Sequence, residues 1–284
     1  MALVTVDELL FKADKEGYAV GAFNANNMEI VQAIMKAAEQ ENSPVIMQAS
    51  QGAIKYAGLE FITGMVKIAA DSVNVPVALH LDHGTDFEQV VKCIRSGFTS
   101  VMYDGSKLPI EENIANTKRV LDIARPIEVS VEAELGKIGG TEDDVIVSEK
   151  EAMYTAPEEA EYFVKATGIK SLAIAIGTAH GQYKGEPKLD FDRLALIKSL
   201  VNIPIVLHGS SGVPDDAVKK AIKLGVCKVN IDTNIREAFV QEARRVMAAN
   251  PDEIDPRKIL GPAREAAVKI IREKIRVFGS SGKA

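Results

Sequence analysis

Cysteine is scarce: Cys93 and Cys227 are the only two in 284 residues. No disulfide scaffold follows from them, and the expected compartment is reducing and cytoplasmic. Basic blocks are also missing. Lys and Arg number 34 against 40 Asp and Glu, a net charge of −6, so general nucleic-acid binding is not expected. No apolar run approaches the ~18 residues of a membrane helix. The first residues show no basic stretch followed by an apolar one, so neither a membrane partner nor an export signal is expected. Linkers and low-complexity tracts are lacking too. With hydrophobic residues at 46% and charged residues at 26%, the balance is globular, and residues 1–284 are expected to form one domain.

What is present is an alternation. Short β-branched runs (Ala19–Phe23, Val45–Gln48, Val77–Leu81, Ser100–Tyr103, Glu128–Glu132, Ser171–Ile176, Ile205–Leu207 and Lys228–Ile231) are separated by helical patterns. In the first such helix Asn27 stands as the cap and Ile30, Val31, Ile34 and Ala38 recur at helical spacing. Pro44, Pro76 and Pro204 stand at strand starts, where a missing N–H costs no ladder bond. Eight strands with helical crossovers predict parallel βαβ units. Gly21-Ala-Phe-Asn-Ala-Asn26 replaces the glycine-rich turn of an open dinucleotide-binding sheet. The expected fold is therefore a (β/α)8 TIM barrel with extra C-terminal helices, near Ile235–Ala249 and Arg257–Phe278.

Only four histidines occur, and three of them precede a glycine and close a predicted strand: His83, His180 and His208. In this fold the C-terminal strand ends converge on one face, and three converging imidazoles suit Zn²⁺ with a fourth position open. The alternative is three unrelated polar strand ends. His80 is expected nearer the barrel interior. Acids gather on the same face: Asp82, Asp104, and Glu132 with Glu134, which share a side if the strand extends that far. Each alone could equally be a helix cap or a solvated charge. Gly139-Gly140 predicts a mobile loop that carries Glu142, or else a plain exposed connection. His208-Gly-Ser-Ser-Gly212 and Asn230-Ile-Asp-Thr-Asn234 end the last two strands, where this fold often binds phosphate.

These motifs, with Leu79-His-Leu-Asp-His-Gly84, Val131-Glu-Ala-Glu-Leu-Gly136, Gly177-Thr-Ala-His-Gly181, Tyr18–Asn24 and Asp255-Pro-Arg-Lys258, resemble the class II, zinc-dependent ketose-bisphosphate aldolases across almost the whole chain. The resemblance implies a catalytic zinc on His83, His180 and His208. It implies proton exchange by Asp82 with the substrate's C4 hydroxyl and by Glu142 with C3. Asp104 and Glu134 would hold a second divalent or monovalent cation. One departure is Tyr103-Asp-Gly-Ser106, where many relatives carry an apolar residue and alanine around the aspartate. Gly181, Gly209, Ser210, Ser211, Asn230, Ile231, Asp232 and Thr233 would hold the phosphorylated sugar, with Asn24, Ser50 and Lys184 as further contacts. Arg257 would reach the other phosphate from a neighbouring subunit of a homo-oligomer, a dimer or tetramer. The implied reaction is reversible cleavage of fructose 1,6-bisphosphate, with the tagatose epimer as alternative and an inactive barrel used for interaction as a remote one. An imine route is not expected: no lysine lies in Ser171–Ile176 or Ile205–Leu207, and Lys228 is read as the start of its strand.

Overall fold

The computed structural model describes residues 3–142, 145–148, 152–183, 185 and 187–284. Eight parallel strands, β1 Val20–Asn24, β2 Val45–Ser50, β3 Val77–Gly84, β4 Ser100–Tyr103, β5 Ser130–Leu135, β6 Ser171–Ile174, β7 Ile205–Leu207 and β8 Val226–Ile231, close into a barrel. Closure is made by β1 against β8, with Val20 opposite Lys228 and Phe23 opposite Ile231. Proline stands immediately before β2, β3 and β7, as expected.

Local chemistry sets the boundaries. Asn27 Oδ1 accepts from the Ile30 amide and caps helix Met28–Glu41, an interaction worth about 1 kcal/mol. Only β4 and β7 keep their expected bounds: β1 lies one residue later, β2 and β3 run on to Ser50 and Gly84, and the other three differ for local reasons. β5 starts two residues late because Arg125–Ile127 form a 3-10 turn and Glu128 adopts φ +57. β6 stops at Ile174, short of Gly177, whose φ is +110. β8 starts at Val226, just after Gly225 at φ +105. Lys228 is thus the third residue of its strand and not the first.

Side chains alternate across each strand, and the inward set changes character along the barrel. At the N-terminal end it is apolar: Val20, Ala22, Ile46, Ala78, Ala173 and Val206 pack with Val6, Leu9, Leu10 and Ala13 of helix Val6–Glu16, which closes that end. Two residues further along, the same inward positions carry Asn24, Gln48, His80, Glu132 and Lys228, all buried. The main apolar core lies between the outward faces of the strands and the surrounding helices. C-terminal helices Thr233–Ala249 and Pro256–Phe278 pack on each other, and the second lies on helix Met28–Glu41. Glu41 fastens it by ion pairs of 2.7 Å to both Arg272 and Arg276. No helix among the described residues is long and apolar enough to cross a membrane.

Candidate active site

β3 ends in His83-Gly84 and His208 follows β7 directly, whereas His180 does not close β6 as expected but sits in a separate short strand, Ala179–His180, beyond it. All three are buried. Their ring centroids lie 4.7, 5.0 and 6.1 Å apart. His83 takes φ +48, a left-handed conformation that a non-glycine residue enters at a cost of about 1 kcal/mol or more. Gly209 has φ +61, and a Cβ there would stand 2.6 Å from the Ala179 carbonyl. Its glycine therefore serves close packing of the two histidine-bearing segments. Tyr183 ties them further: its hydroxyl donates to the Gly209 carbonyl at 2.8 Å and accepts from the Ala179 amide at 2.7 Å. Burial pushes this phenol up to about 12.

The outer nitrogens of two rings are assigned by their partners. His83 Nδ1 lies 2.9 Å from Asp104 Oδ2, and His208 Nε2 lies 2.8 Å from Glu132 Oε1. Burial alone would raise both carboxyls. The His83 and Ser106 bonds at Asp104, and the Lys228 ammonium with the His208 bond at Glu132, outweigh it and hold both well below the usual carboxylate range. An ionised carboxylate only accepts, so each of these nitrogens carries its ring's proton. The remaining lone pairs, His83 Nε2 and His208 Nδ1, face each other at 2.9 Å. Burial lowers the basicity of His208, which favours the neutral ring a metal requires.

Among the described residues, two groups of donor atoms lie within 4.8 Å of one another: His83, His180 and His208, and His83, Asp104 and Glu134. Glu134 Oε2 is buried with no hydrogen-bond partner among the described residues, and burial, then the neighbouring Asp104, raises this carboxyl well above its ordinary range. Facing nitrogen lone pairs and an orphaned carboxylate oxygen are the features of a cation site, so the residues present fit a metal.

Asp82 is fully buried beside the histidines. Asn24 and Gln48 donate to its Oδ2 at 3.1 and 3.0 Å, and Asn230 donates to Oδ1 at 3.3 Å. Asn24, expected to touch substrate, is thus engaged with Asp82. Gln48 was not expected at all. Its signal was its inward register, two residues before Ser50. Ser50 caps helix Gln51–Ala57 by accepting from Ala53.

A small cavity is lined by His180, Gly181, Gly209, Ser210, Ser211, Asn230, Asp232 and Thr233. Helix Thr233–Ala249 starts there, and Ser211 Oγ accepts the Asp232 amide at 3.3 Å. Sequence reasoning missed Arg236, which also lines it and pairs with Asp232 at 2.7 Å. Its position on the first turn of that helix was readable. The Ile231 side chain is in the apolar core, so only its main chain can face a ligand. Arg257 lies away from this cavity, its side chain 88% exposed and paired with Asp255. Lys184 lies outside the described residues.

The expected loop at Gly139-Gly140 is a strand pair. Gly139–Glu142 pairs antiparallel with Val145–Val147 and parallel with Ala179–His180, placing Gly140 opposite His180. The main chain of Glu142 therefore continues from a strand anchored on a histidine of the cluster.

Lys228 corrects a second expectation. Its side chain is fully buried inside the barrel, with Nζ 2.8 Å from Glu132 Oε2 and 3.1 Å from His80 Nε2. A lysine does lie in the barrel. It is sealed beneath the histidines, which keeps it from the carbonyl of a substrate.

The model of the family described as fructose-bisphosphate aldolase class-II matches residues 4–283. A protein of Thermus caldophilus named fructose-bisphosphate aldolase is 49% identical, over 99% of this chain and 100% of its own. A sulfofructosephosphate aldolase of Alkalicoccus urumqiensis is 48% identical, over 100% and 99%. The crystal structure of the YdjI aldolase from Escherichia coli K12 superposes with a TM-score of 0.87 at 35% identity, over 99% of both chains. With barrel, histidine cluster and full-length likeness in agreement, the chain belongs to the class-II fructose-bisphosphate aldolases, a family of metal-dependent lyases.

Proposed function

We propose that this protein cleaves fructose 1,6-bisphosphate reversibly to dihydroxyacetone phosphate and glyceraldehyde 3-phosphate, with zinc as its metal, in cytoplasmic glycolysis and gluconeogenesis. The observation that carries the reading is the facing pair His83 Nε2 and His208 Nδ1, each ring turned by a carboxylate behind it. His83, His180 and His208 would hold the zinc, and Asp104 and Glu134 a second divalent or monovalent cation. The metal would supply Lewis-acid stabilisation, several kcal/mol, of the negative charge that bond cleavage leaves beside the substrate carbonyl.

Asp82 accepts the proton of the C4 hydroxyl. The C3–C4 bond breaks, its electron pair stays on C3, and C4 becomes the aldehyde carbon. Asn24, Gln48 and Asn230 hold Asp82 with its carboxylate as acceptor. Glu142 returns a proton to C3. The main-chain amides and hydroxyls of Gly181, Gly209, Ser210, Ser211 and Thr233, at a helix start, receive the phosphate of the dihydroxyacetone half, with Asp232, the Ile231 main chain, Ser50 and Lys184 around that half. Arg257, exposed and not among the residues that line this cavity, would serve the distal phosphate in a neighbouring protomer of a dimer or tetramer.

An identity of 48% to a sulfofructosephosphate aldolase, against 49% to a fructose-bisphosphate aldolase, makes the distal anion the open variable. The test is kcat/KM for zinc-loaded enzyme on fructose 1,6-bisphosphate, tagatose 1,6-bisphosphate and sulfofructose phosphate, side by side. The fructose bisphosphate is expected to lead. A lead for either competitor moves the assignment to that substrate. Cleavage of none of them removes the aldolase reading.

A further inference from the structure

We infer that Lys228 is a positioning residue for the metal site, acting on His208 through Glu132. The inference rests on the reading of His208 as a metal ligand. The chain of contacts is short and closed. Lys228 Nζ donates to Glu132 Oε2 at 2.8 Å, and Glu132 Oε1 receives His208 Nε2 at 2.8 Å. On its other side Lys228 donates to His80 Nε2 at 3.1 Å, and His80 Nδ1 lies 2.8 Å from Ser100 Oγ. All five side chains are sealed from solvent.

Each link restricts the next. A carboxylate offers two oxygens, and here each oxygen has one hydrogen-bond partner, with His80 Nε2 a further 3.7 Å from Oε2. Lys228 therefore fixes the rotation of Glu132, and Glu132 fixes both the ring plane and the tautomer of His208. With the proton on Nε2, the Nδ1 lone pair is the one turned toward His83. Without Lys228, Glu132 loses the anchor of its second oxygen, and the Asn230 amide, 3.2 Å from His208 Nδ1, is the remaining fixed contact that favours that tautomer.

Stability gives no comparable reason to keep a lysine there. An ion pair withdrawn from water costs about what it returns, and apolar residues of similar volume are often as stable or more so. Carboxylates behind metal-bound histidines, in contrast, typically change metal affinity 10- to 100-fold when removed. Lys228 extends that support by one residue. It also accounts for a lysine inside the barrel of an enzyme family that needs no imine.

The test uses the full chain stripped of metal and titrated with Zn²⁺ against a competing chelator. Lys228→Met is expected to weaken zinc binding about 10- to 100-fold, without a matching fall in the unfolding midpoint of the metal-free protein. The double variant Lys228→Met/Glu132→Gln removes both charges, so no buried charge is stranded if the single variant fails to fold. It should show the same loss. A purely structural role would move the unfolding midpoint and leave the zinc constant within twofold of wild type, and that result overturns the inference. A ¹⁵N spectrum of the metal-free wild type gives a separate reading: His208 should be protonated at Nε2, and protonation at Nδ1 overturns it. His208→Ala separates the two levels. If it binds zinc normally, the metal reading itself fails. If it loses zinc while Lys228→Met does not, only the role of Lys228 fails.

Discussion

His83 Nε2 and His208 Nδ1 face each other at 2.9 Å, while the far nitrogen of each ring is bonded to a carboxylate, Asp104 for one and Glu132 for the other. Two lone pairs facing at that distance are the arrangement that a shared cation would bind. The carboxylates behind the rings are what turn the lone pairs inward. The same face of the barrel holds Asp82, and the separation of their roles can be measured.

Asp82→Ala should leave zinc binding nearly intact and lower turnover by roughly 10²- to 10⁴-fold, the usual range for a lost general acid–base group. His83→Ala should lose the metal instead. Metal content and kcat, measured on both variants, check this. Near-normal turnover in Asp82→Ala would remove Asp82 from the C4 hydroxyl.

Glu142→Ala should slow the exchange of the C3 proton of dihydroxyacetone phosphate with solvent deuterium, in the absence of any aldehyde. Binding of that substrate should change little, because the cradle around Ser211 and Thr233 is untouched. Asp82→Ala should largely spare the exchange. Wild-type exchange in Glu142→Ala would assign the C3 base to another group.

Gly140 has φ +101, and a Cβ there would overlap the main-chain carbonyl of His180. Gly140→Ala should displace His180 and the strand that leads to Glu142 together. The expected outcome is weaker zinc binding and slower C3 exchange in one variant, where Glu142→Ala slows exchange alone. Unchanged zinc affinity in Gly140→Ala would show that the strand pairing does not hold His180.

Glu41 fastens the last helix, and its carboxyl is held down at about 2, chiefly by its bond to Arg276 and then to Arg272, against burial. A lowered folded-state value stabilises above the ordinary glutamate range and is lost as pH falls from about 4.5 toward 2. Glu41→Gln should therefore cost about 2 kcal/mol at pH 7, with a smaller difference from wild type at pH 3. Urea unfolding of both proteins at the two pH values tests it. A difference that grew on acidification would contradict the assigned sign.

Much of the site could be read from the chain because its parts are strand ends. His83, His180 and His208 each precede a glycine, and barrel closure brings His83 and His208, at the ends of β3 and β7, to one face whatever their separation in sequence; His180 arrives from the short strand Ala179–His180 beyond β6. Inward partners across the barrel are another matter. Glu132 meets His208 and Lys228 only because β5, β7 and β8 close at one particular stagger, and no local pattern encodes that. Lys228 was misplaced for a related reason. The strand begins at Val226, directly after Gly225 at φ +105 and with only Leu224 and Gly225 between it and helix Asp215–Lys223, and Val226 and Cys227 are short enough to read as loop. Gln48 and Arg236 had local signals, an inward register and a first helical turn, but their partners lie on other elements. The Gly139-Gly140 segment read as a loop because its strand partner, Ala179–His180, is only two residues long.

The most direct measurement is cleavage of fructose 1,6-bisphosphate before and after metal removal. Dialysis against a chelator should abolish it, and added Zn²⁺ should restore it in proportion to the ion bound by His83, His180 and His208. Full activity in the metal-free protein, or inactivation by borohydride in the presence of substrate, would contradict the account.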